Sequence, residues 1–252
     1  MSETRVSSEI SIKTRQKLIV ALDVETEGEA RDIIAELGDE VKAFKIGLQL
    51  FTSAGSKFVR DVAESDAKIF LDLKFHDIPN TVAKAGIEAA RLGVWMFNVH
   101  AAGGSEMMRR TAAEISDFCE KESLTKPKII AVTVLTSSDS NALNETGIER
   151  EVEDQVLRLA RLASKCGLDG VVASGNETAA IRKSLPDREF LIVTPGIRPD
   201  FATNDDQRRV MTPGFAINAG SDYLVIGRPI IKAVDRTLAV KTILVEMEAA
   251  SR

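Results

Sequence analysis

Lys68-Ile69-Phe70-Leu71-Asp72-Leu73-Lys74-Phe75 (residues 68–75) is the stretch that decides the fold. This run is short and mostly apolar, and a helically spaced segment, Thr81–Leu92, follows it. A nearly continuous apolar run is typical of a parallel strand that is buried on both faces. The stretch and the segment after it therefore predict one β/α unit.

The same unit recurs along the whole chain. Strand-like runs alternate with helix-like or mixed segments, and the eight runs are Leu18–Val24, Val41–Ile46, Lys68–Phe75, Val94–His100, Lys128–Leu135, Asp169–Ser174, Phe190–Thr194 and Asp222–Ile226. Eight such units in 252 residues match the size of a TIM barrel. A doubly wound sheet is the rival, but no G-x-G-x-x-G motif follows the first strand. We predict an α/β fold: a single (β/α)8 barrel over residues 17–252, after a loosely held N-terminal extension, residues 1–16.

Composition excludes several classes of protein. Hydrophobic residues make up 44% of the chain and charged residues 28%, which is ordinary for a globular protein. No apolar run approaches the length of about 18 residues that spans a membrane, and the polar N-terminus lacks a secretory signal. The net charge of -5 gives no electrostatic reason to bind nucleic acid over a broad surface. We expect a cytoplasmic protein with neither a membrane nor a nucleic acid as partner.

Charged residues lie at the predicted carboxyl ends of the first three strands, where TIM barrels carry their functional groups. Alternation along a strand points Asp72 and Lys74 to the same face, and neighbouring strands bring Lys45 beside Asp72 and Asp23 beside Lys45. With Asp77 returning toward Lys74, the charges alternate in sign along one row. A structural ion-pair network explains any single one of these charges. Five of them at three successive strand ends predict an active site.

The row suits a decarboxylation that needs no electron-sink cofactor. A lysine held between carboxylates stays protonated, so it is a proton donor. A substrate carboxylate placed against Asp72 would be repelled until it left as a neutral molecule. Lys74 could then protonate the carbanion left behind.

The loops after strands seven and eight predict a phosphate site. Gly227 lets backbone N–H groups approach an anion, and Arg228 can add a bidentate contact. Arg198 and Gln207 are available from the preceding connection, which contains the loop-like stretch Pro199–Arg209. A lone Gly-Arg-Pro also serves as a simple turn, but two Gly/Arg loops stand at the two expected positions.

Three further polar residues follow strands. His76 and His100 are interpreted as structural or supporting, because two histidines without a third ligand make a poor metal site. Thr136 could bind a polar ring or take part in a turn.

The chain resembles the bacterial type of the orotidine 5'-phosphate decarboxylase family. Leu71–Thr81, LDLKFHDIPNT, looks like the active-site motif of that family. The resemblance continues, in order, through VALD, FKIG, LGVWMFNVHAAGG, AVTVLTS, CGLDGVV, VTPGIRP, DQRRVMTP and DYLVIGRPI. It implies a barrel without cofactor or metal, a carboxy-lyase that converts orotidine 5'-phosphate to UMP and CO2 in the last step of de novo pyrimidine nucleotide synthesis.

The resemblance also implies roles for individual residues. Lys74 matches the proton donor to C6 of the pyrimidine, and Asp72 matches the carboxylate that faces the departing group. The matched binding positions are Asp23 and Lys45 for the ribose, Thr136 for the pyrimidine edge, Gln207, Gly227 and Arg228 for the phosphate, and Arg198 for the substrate. The family forms homodimers with a shared active site, in which Asp77 and Thr81 match residues that reach the partner's site. That role replaces the contact of Asp77 with its own Lys74.

Two alternatives remain open. A magnesium-dependent phosphosugar decarboxylase or aldolase of the same superfamily also carries a D-x-K-x-x-D motif, but resembles this chain less after Lys74. A barrel that binds nucleotides without catalysis is the second, and the intact Asp72, Lys74 and Asp77 argue against it.

Overall fold

Eight parallel strands form a closed barrel in the order in which they occur along the chain. The computed structural model describes residues 10–201 and 211–251. The strands are β1 (Leu18–Ala21), β2 (Ala43–Gly47), β3 (Lys68–Phe75), β4 (Met96–His100), β5 (Lys128–Val132), β6 (Gly170–Val172), β7 (Leu191–Thr194) and β8 (Tyr223–Ile226). The predicted (β/α)8 barrel is confirmed.

Helices follow the strands and surround the barrel. They are α1 (Ile12–Arg15), α2 (Glu27–Leu37), α3 (Leu48–Glu64), α4 (Pro79–Arg91), α5 (Gly104–Lys121), α6 (Ser140–Glu145), α7 (Val152–Lys165), α8 (Gly175–Ser184), α9 (Pro213–Ala219), α10 (Arg228–Ile231) and α11 (Arg236–Ala250). Side chains cap several of them: Thr26 accepts the N–H of Glu29 at the start of α2. Among the helices of the described ranges, none is long and apolar enough to cross a membrane.

The strands are buried on both faces, which explains their continuous apolar runs. In β1, Ile19 belongs to the cluster that fills the barrel interior. Its neighbours Leu18 and Val20 belong to the larger core between strands and helices. Apolar side chains fill the barrel, and the charged residues Asp72 and Lys74 lie in the carboxyl-terminal half of their strand.

Strand β3 departs from regular geometry where its charged residues lie. Its pairing with β4 shifts register: Leu71 is opposite Phe97, but Phe75 is opposite Val99. Four steps along β3 therefore match two steps along β4. Within this bulge Lys74 has a φ of 52°, in the left-handed region that residues other than glycine rarely adopt.

The described end of the N-terminal extension is packed against the barrel. The Ser11 hydroxyl donates to Glu248 on α11 over 2.8 Å, and Thr14 is only 2% exposed. Residues 11–15 are thus held more firmly than the expected loose extension, because a capped helical turn contacts the last helix. The domain boundary at residue 17 stays a prediction.

Candidate active site

The first three strands bring four charged side chains into one row. Lys45 Nζ lies 3.1 Å from Asp23 Oδ1 and 3.4 Å from Asp72 Oδ2. Lys74 Nζ lies 2.7 Å from Asp72 Oδ1. The signs alternate from Asp23 to Lys74, so each charge has an opposite neighbour. The lysine between two carboxylates is Lys45, whereas within the described residues Lys74 forms an ion pair only with Asp72.

Local backbone features position this row. The N–H of Leu22 donates to the carbonyl of Lys45, which brings the end of β1 beside β2. Gly47 leaves room for the ammonium: a Cβ at this position would lie 3.0 Å from Lys45 Nζ. Lys74 lies beside Asp72 within the bulge of β3. The sequence prediction had assumed a regular strand, in which alternation alone places the two side chains on one face.

Asn98 on β4 supports the pair from the neighbouring strand. Its Nδ2 donates to Asp72 Oδ1 over 2.7 Å, and its Oδ1 accepts the backbone N–H of Lys74 over 2.8 Å. Asn98 was not among the residues predicted from the sequence. The available signal was a polar residue within the apolar run MFNVH, on the strand next to β3.

The charges of the row determine the protonation of its members. Burial would lower the pKa of Lys45, but the charges of Asp72 and Asp23 outweigh burial, so this pKa lies above its usual value. Burial would likewise raise the pKa of Asp72. The charges of Lys45 and Lys74, with hydrogen bonds from Lys74 and Asn98, outweigh it and place this pKa below the usual range. Lys45 therefore stays protonated, and Asp72 stays ionised near neutral pH.

A cavity of about 160 Å³ lies beside the row, at the mouth of the barrel. Its charged side is formed by Lys45, Asp72 and Lys74, and Thr136 lies on its lining. The remaining lining is apolar: Phe70, Val132, Val134, Leu135, Val172, Ala173, Pro195 and Val225. A larger, open depression of about 1010 Å³ involves α6 and α7 and contains none of these residues.

The predicted phosphate loops lie next to the row. Gly227 precedes α10, and a Cβ there would lie 3.0 Å from Asp23 Oδ2, so the two residues are close neighbours. Arg228 is half-buried at the first position of α10. Arg198 is 9% exposed, and its backbone N–H donates to the carbonyl of Met211 over 2.9 Å. Gln207 and most of Pro199–Arg209 lie outside the described residues.

Asp77 and Thr81 lie on the surface of the chain. Asp77 is exposed, and its carboxylate accepts the N–H of Ile78 over 2.6 Å. Thr81 is exposed in the first turn of α4. No hydrogen bond or ion pair between Asp77 and Lys74 occurs in the described part of the chain.

The two histidines lie close together at the ends of β3 and β4. Their ring centroids are 5.7 Å apart. Burial, and then the charges of His76 and Lys74, lower the pKa of His100. Across residues 10–201 and 211–251, no group of three or more His, Cys, Asp or Glu side chains is arranged to hold a metal ion.

Comparisons with known proteins agree on one family. The chain matches the sequence model described as "Orotidine 5'-phosphate decarboxylase / HUMPS family" over residues 16–243. A protein of Syntrophotalea carbinolica named "Orotidine 5'-phosphate decarboxylase" is 52% identical over 239 residues, covering 95% of this chain and 98% of that protein. The protein of the same name from Geobacter sulfurreducens is 52% identical over 238 residues, covering 94% and 98% of the two chains.

Two solved structures of proteins named orotidine 5'-phosphate decarboxylase have the same fold as this chain. The orotidine 5'-phosphate decarboxylase of Lactobacillus acidophilus superposes with a TM-score of 0.81 at 38% identity, covering 92% of this chain and 99% of that one. The protein of that name from Pyrococcus horikoshii OT3 gives a TM-score of 0.72 at 26% identity, covering 91% and 98%.

Proposed function

The chain belongs to the orotidine 5'-phosphate decarboxylase / HUMPS family and decarboxylates orotidine 5'-phosphate; we propose that it does so without a cofactor and with Lys74 as the proton donor. The observation that carries the proposal is the Lys74–Asp72 pair, whose Nζ and Oδ1 atoms are 2.7 Å apart on the cavity wall. The enzyme is a carboxy-lyase of pyrimidine biosynthesis.

The proposed reaction needs one proton and no electron acceptor. The bond from C6 of the pyrimidine to its carboxylate breaks, CO2 leaves, and the electron pair stays on C6. Lys74 donates a proton from Nζ to C6, which gives UMP, and the amine then takes a proton from solvent. Repulsion between Asp72 and the substrate carboxylate ends when neutral CO2 leaves, and the ammonium of Lys74 stabilises the developing carbanion.

Lys45 is the main support for a reaction without a metal. Its ammonium lies within 3.4 Å of both Asp23 and Asp72, and Lys74 also pairs with Asp72, so the two lysines balance the charge of the two carboxylates. A magnesium ion would need carboxylate oxygens that are free to coordinate it. In this row a lysine occupies the space between them, which favours the cofactor-independent reaction over the magnesium-dependent alternative.

The residues around the pair suit the rest of the substrate. Lys45 lines the cavity and Asp23 lies beside Lys45, so an ammonium and a carboxylate can bind ribose hydroxyls. Thr136 offers a hydroxyl to the pyrimidine edge. Gly227 and Arg228 would bind the phosphate through backbone N–H groups and a guanidinium, assisted by Arg198 and Gln207.

We propose a homodimer in which Asp77 and Thr81 complete the active site of the partner subunit. Both residues are exposed and lie on the segment that follows the Lys74–Asp72 pair. Ile78, between them, is 66% exposed, which suits burial against a second copy of the chain.

We also propose that the enzyme acts in the cytoplasm. Its two cysteines, Cys119 and Cys166, are buried free thiols, and burial raises the pKa of each. Such thiols suit a reducing compartment.

A spectrophotometric assay with orotidine 5'-phosphate, with and without EDTA, tests the cofactor claim. We expect conversion to UMP at a rate that EDTA leaves unchanged. Activity abolished by EDTA and restored by magnesium would instead indicate a metal-dependent enzyme. A folded protein that binds UMP but converts no substrate would be a nucleotide-binding barrel.

The variant Lys74→Ala tests the proton donor. Removal of a general acid lowers turnover by about 10²- to 10⁴-fold, and we expect kcat to fall at least this far. Lys57→Ala is the matched control, because Lys57 pairs with Asp61 on the exposed side of α3. Circular dichroism should show both variants folded. Near-normal kcat in Lys74→Ala would remove Lys74 from this role.

A further inference from the structure

Asn98 is a buried amide in the middle of β4, and both ends of its side chain reach the Lys74–Asp72 pair. Its Oδ1 accepts the N–H of Lys74 over 2.8 Å, and its Nδ2 donates to Asp72 Oδ1 over 2.7 Å. Asn98 is only 1% exposed, so bulk water cannot readily replace either bond. A buried amide whose donor and acceptor are both used is held in one orientation.

The bulge in β3 explains why an amide is needed at this position. Regular pairing between the strands is interrupted between Leu71 and Phe75, and Asn98 lies between their partners Phe97 and Val99. The side chain of Asn98, rather than a backbone carbonyl of β4, therefore receives the N–H of Lys74. It supports a residue whose φ of 52° lies in the left-handed region.

We propose that Asn98 is a positioning residue for the decarboxylation, acting through Asp72 and Lys74 without contacting the reacting atoms. This inference rests on the proposed roles of the pair. One amide links the backbone of the proton donor to the carboxylate that faces the departing group. It thereby fixes the distance between the two functional groups before substrate binds.

The proposal makes the orientation of the Asp72 carboxylate depend on Asn98. Oδ1 receives Lys74 Nζ and Asn98 Nδ2, while Oδ2 faces Lys45. Without the amide, the carboxylate keeps its ionic partners Lys45 and Lys74 but loses the neutral donor Asn98. Lys74 loses the acceptor of its backbone N–H at the same time. A displacement of about 1 Å at such a site can cost about 10²-fold in rate.

Asn98→Ala removes both bonds and is the first variant to make. We expect kcat to fall by about 10²-fold, while the KM for orotidine 5'-phosphate and the affinity for UMP change little. Thr111→Val is the matched control, because Thr111 is fully buried and its Oγ1 donates to the Met107 carbonyl within α5. If the loss of a buried hydrogen bond alone lowered the rate, both variants would lose kcat equally.

Asn98→Asp separates the two bonds through pH. The introduced carboxylate, when ionised, can still accept the N–H of Lys74 but repels Asp72, whereas its protonated form can donate to Asp72. Burial and the adjacent carboxylate raise the pKa of the introduced group. The ratio of the kcat of this variant to that of the wild type should therefore rise as pH falls, whereas the ratio for Asn98→Ala should not rise.

The surrounding titratable and charged groups are common to the wild type and the variants. They are Asp23, Lys45, Asp72, Lys74, His76 and His100, from the ends of β1 to β4, and on β5 the residue opposite Asn98 is the uncharged Ile130. Dividing the kcat of the variant by that of the wild type at each pH removes the pH dependence that the two proteins share.

A second measurement does not depend on turnover. We expect the pKa of Asp72, followed by carbon NMR, to be higher in Asn98→Ala than in the wild type. An inactive wild type would overturn the proposed function, while the NMR titration would still test the link to Asp72. Wild-type kcat in Asn98→Ala, or equal and pH-independent losses in both Asn98 variants, would overturn the positioning role.

Discussion

Lys45 is central to the charge balance of the site, because it bridges two carboxylates: Asp23, which follows β1, and Asp72 on β3. Its pKa is raised and that of Asp72 is lowered. The stability contributed by Lys45 is present below its unfolded pKa and is lost as pH rises through the folded one. The stability contributed by Asp72 is present above its unfolded pKa and is lost as pH falls through the folded one. The pair therefore stabilises the fold most over the neutral range.

Lys45→Met tests this balance through the pH dependence of stability. The variant keeps the burial of Asp72 but removes one of its two cations, so the pKa of Asp72 should rise. We expect a lower melting temperature at neutral pH, and an acid-side decline that begins at higher pH than in the wild type. Melting curves measured across the acidic range check this, with Lys57→Met as the surface control. Parallel curves for Lys45→Met and the wild type would contradict it.

Arg228→Ala tests the assignment of the phosphate loop. A hydrogen bond to a charged group contributes about 1.5–3 kcal/mol, so UMP should bind about 10- to 100-fold more weakly. Uridine lacks the phosphate, and its affinity should stay unchanged. Calorimetric titration with both ligands separates loss of a phosphate contact from general damage. An equal loss of affinity for UMP and uridine would remove Arg228 from the phosphate site.

At the scale of elements, apolar runs predicted the number and order of the strands well, but they predicted the strand ends poorly. The predicted first strand reached Val24, whereas β1 ends at Ala21. The residues after it are still buried or close to the site, so composition does not mark where the ladder stops. The bulge in β3 could not be predicted either, because the alternation of side chains along one strand does not show where that strand has more residues than its neighbour. The bulge is defined by the register of β3 against β4, which one strand alone cannot reveal.

Gly86→Ala tests the packing of α4 against α5. A Cβ at Gly86 would lie 2.4 Å from Ile115 Cδ1 and 3.0 Å from Phe97 Cζ, and both of those residues are fully buried. Overpacking costs about 1–3 kcal/mol, and the better helix propensity of alanine offsets up to about 1 kcal/mol. We expect a net loss of about 1–2 kcal/mol, which lowers the melting temperature by about 2–8 °C.

Gly28→Ala is the control for this packing prediction. It also lies in a helix, α2, but no atom lies within 4 Å of its added Cβ. Its melting temperature should stay level or rise. A Gly86→Ala protein as stable as the Gly28→Ala protein would show that the two helices adjust without cost.

At the scale of the whole molecule, the sequential order of the strands explains why the charged row could be predicted from the sequence. Consecutive strands are neighbours, so Asp23, Lys45 and Asp72 meet although they lie far apart along the chain. The role of Asn98 could not be predicted in this way, because an isolated asparagine in a strand has no charge that must be paired. The place of Asp77 was not readable from one chain either: its carboxylate is exposed and bonds to Ile78.

Hybrid dimers test whether Asp77 serves the partner's site. If each site combines Lys74 of one chain with Asp77 of the other, a dimer of Lys74→Ala and Asp77→Asn chains contains one intact site. Random exchange between equal amounts should then restore roughly a quarter of the native sites, because half of the dimers are hybrids with one working site each.

A mixture of Lys74→Ala and Asp72→Asn is the control. Those two residues pair within one chain at 2.7 Å, so no hybrid of that mixture regains an intact site. Activity is measured after subunit exchange has been verified with differently tagged chains. Activity restored in the first mixture but not in the second establishes the shared site. No activity in either mixture would show that Asp77 acts in the active site of its own chain.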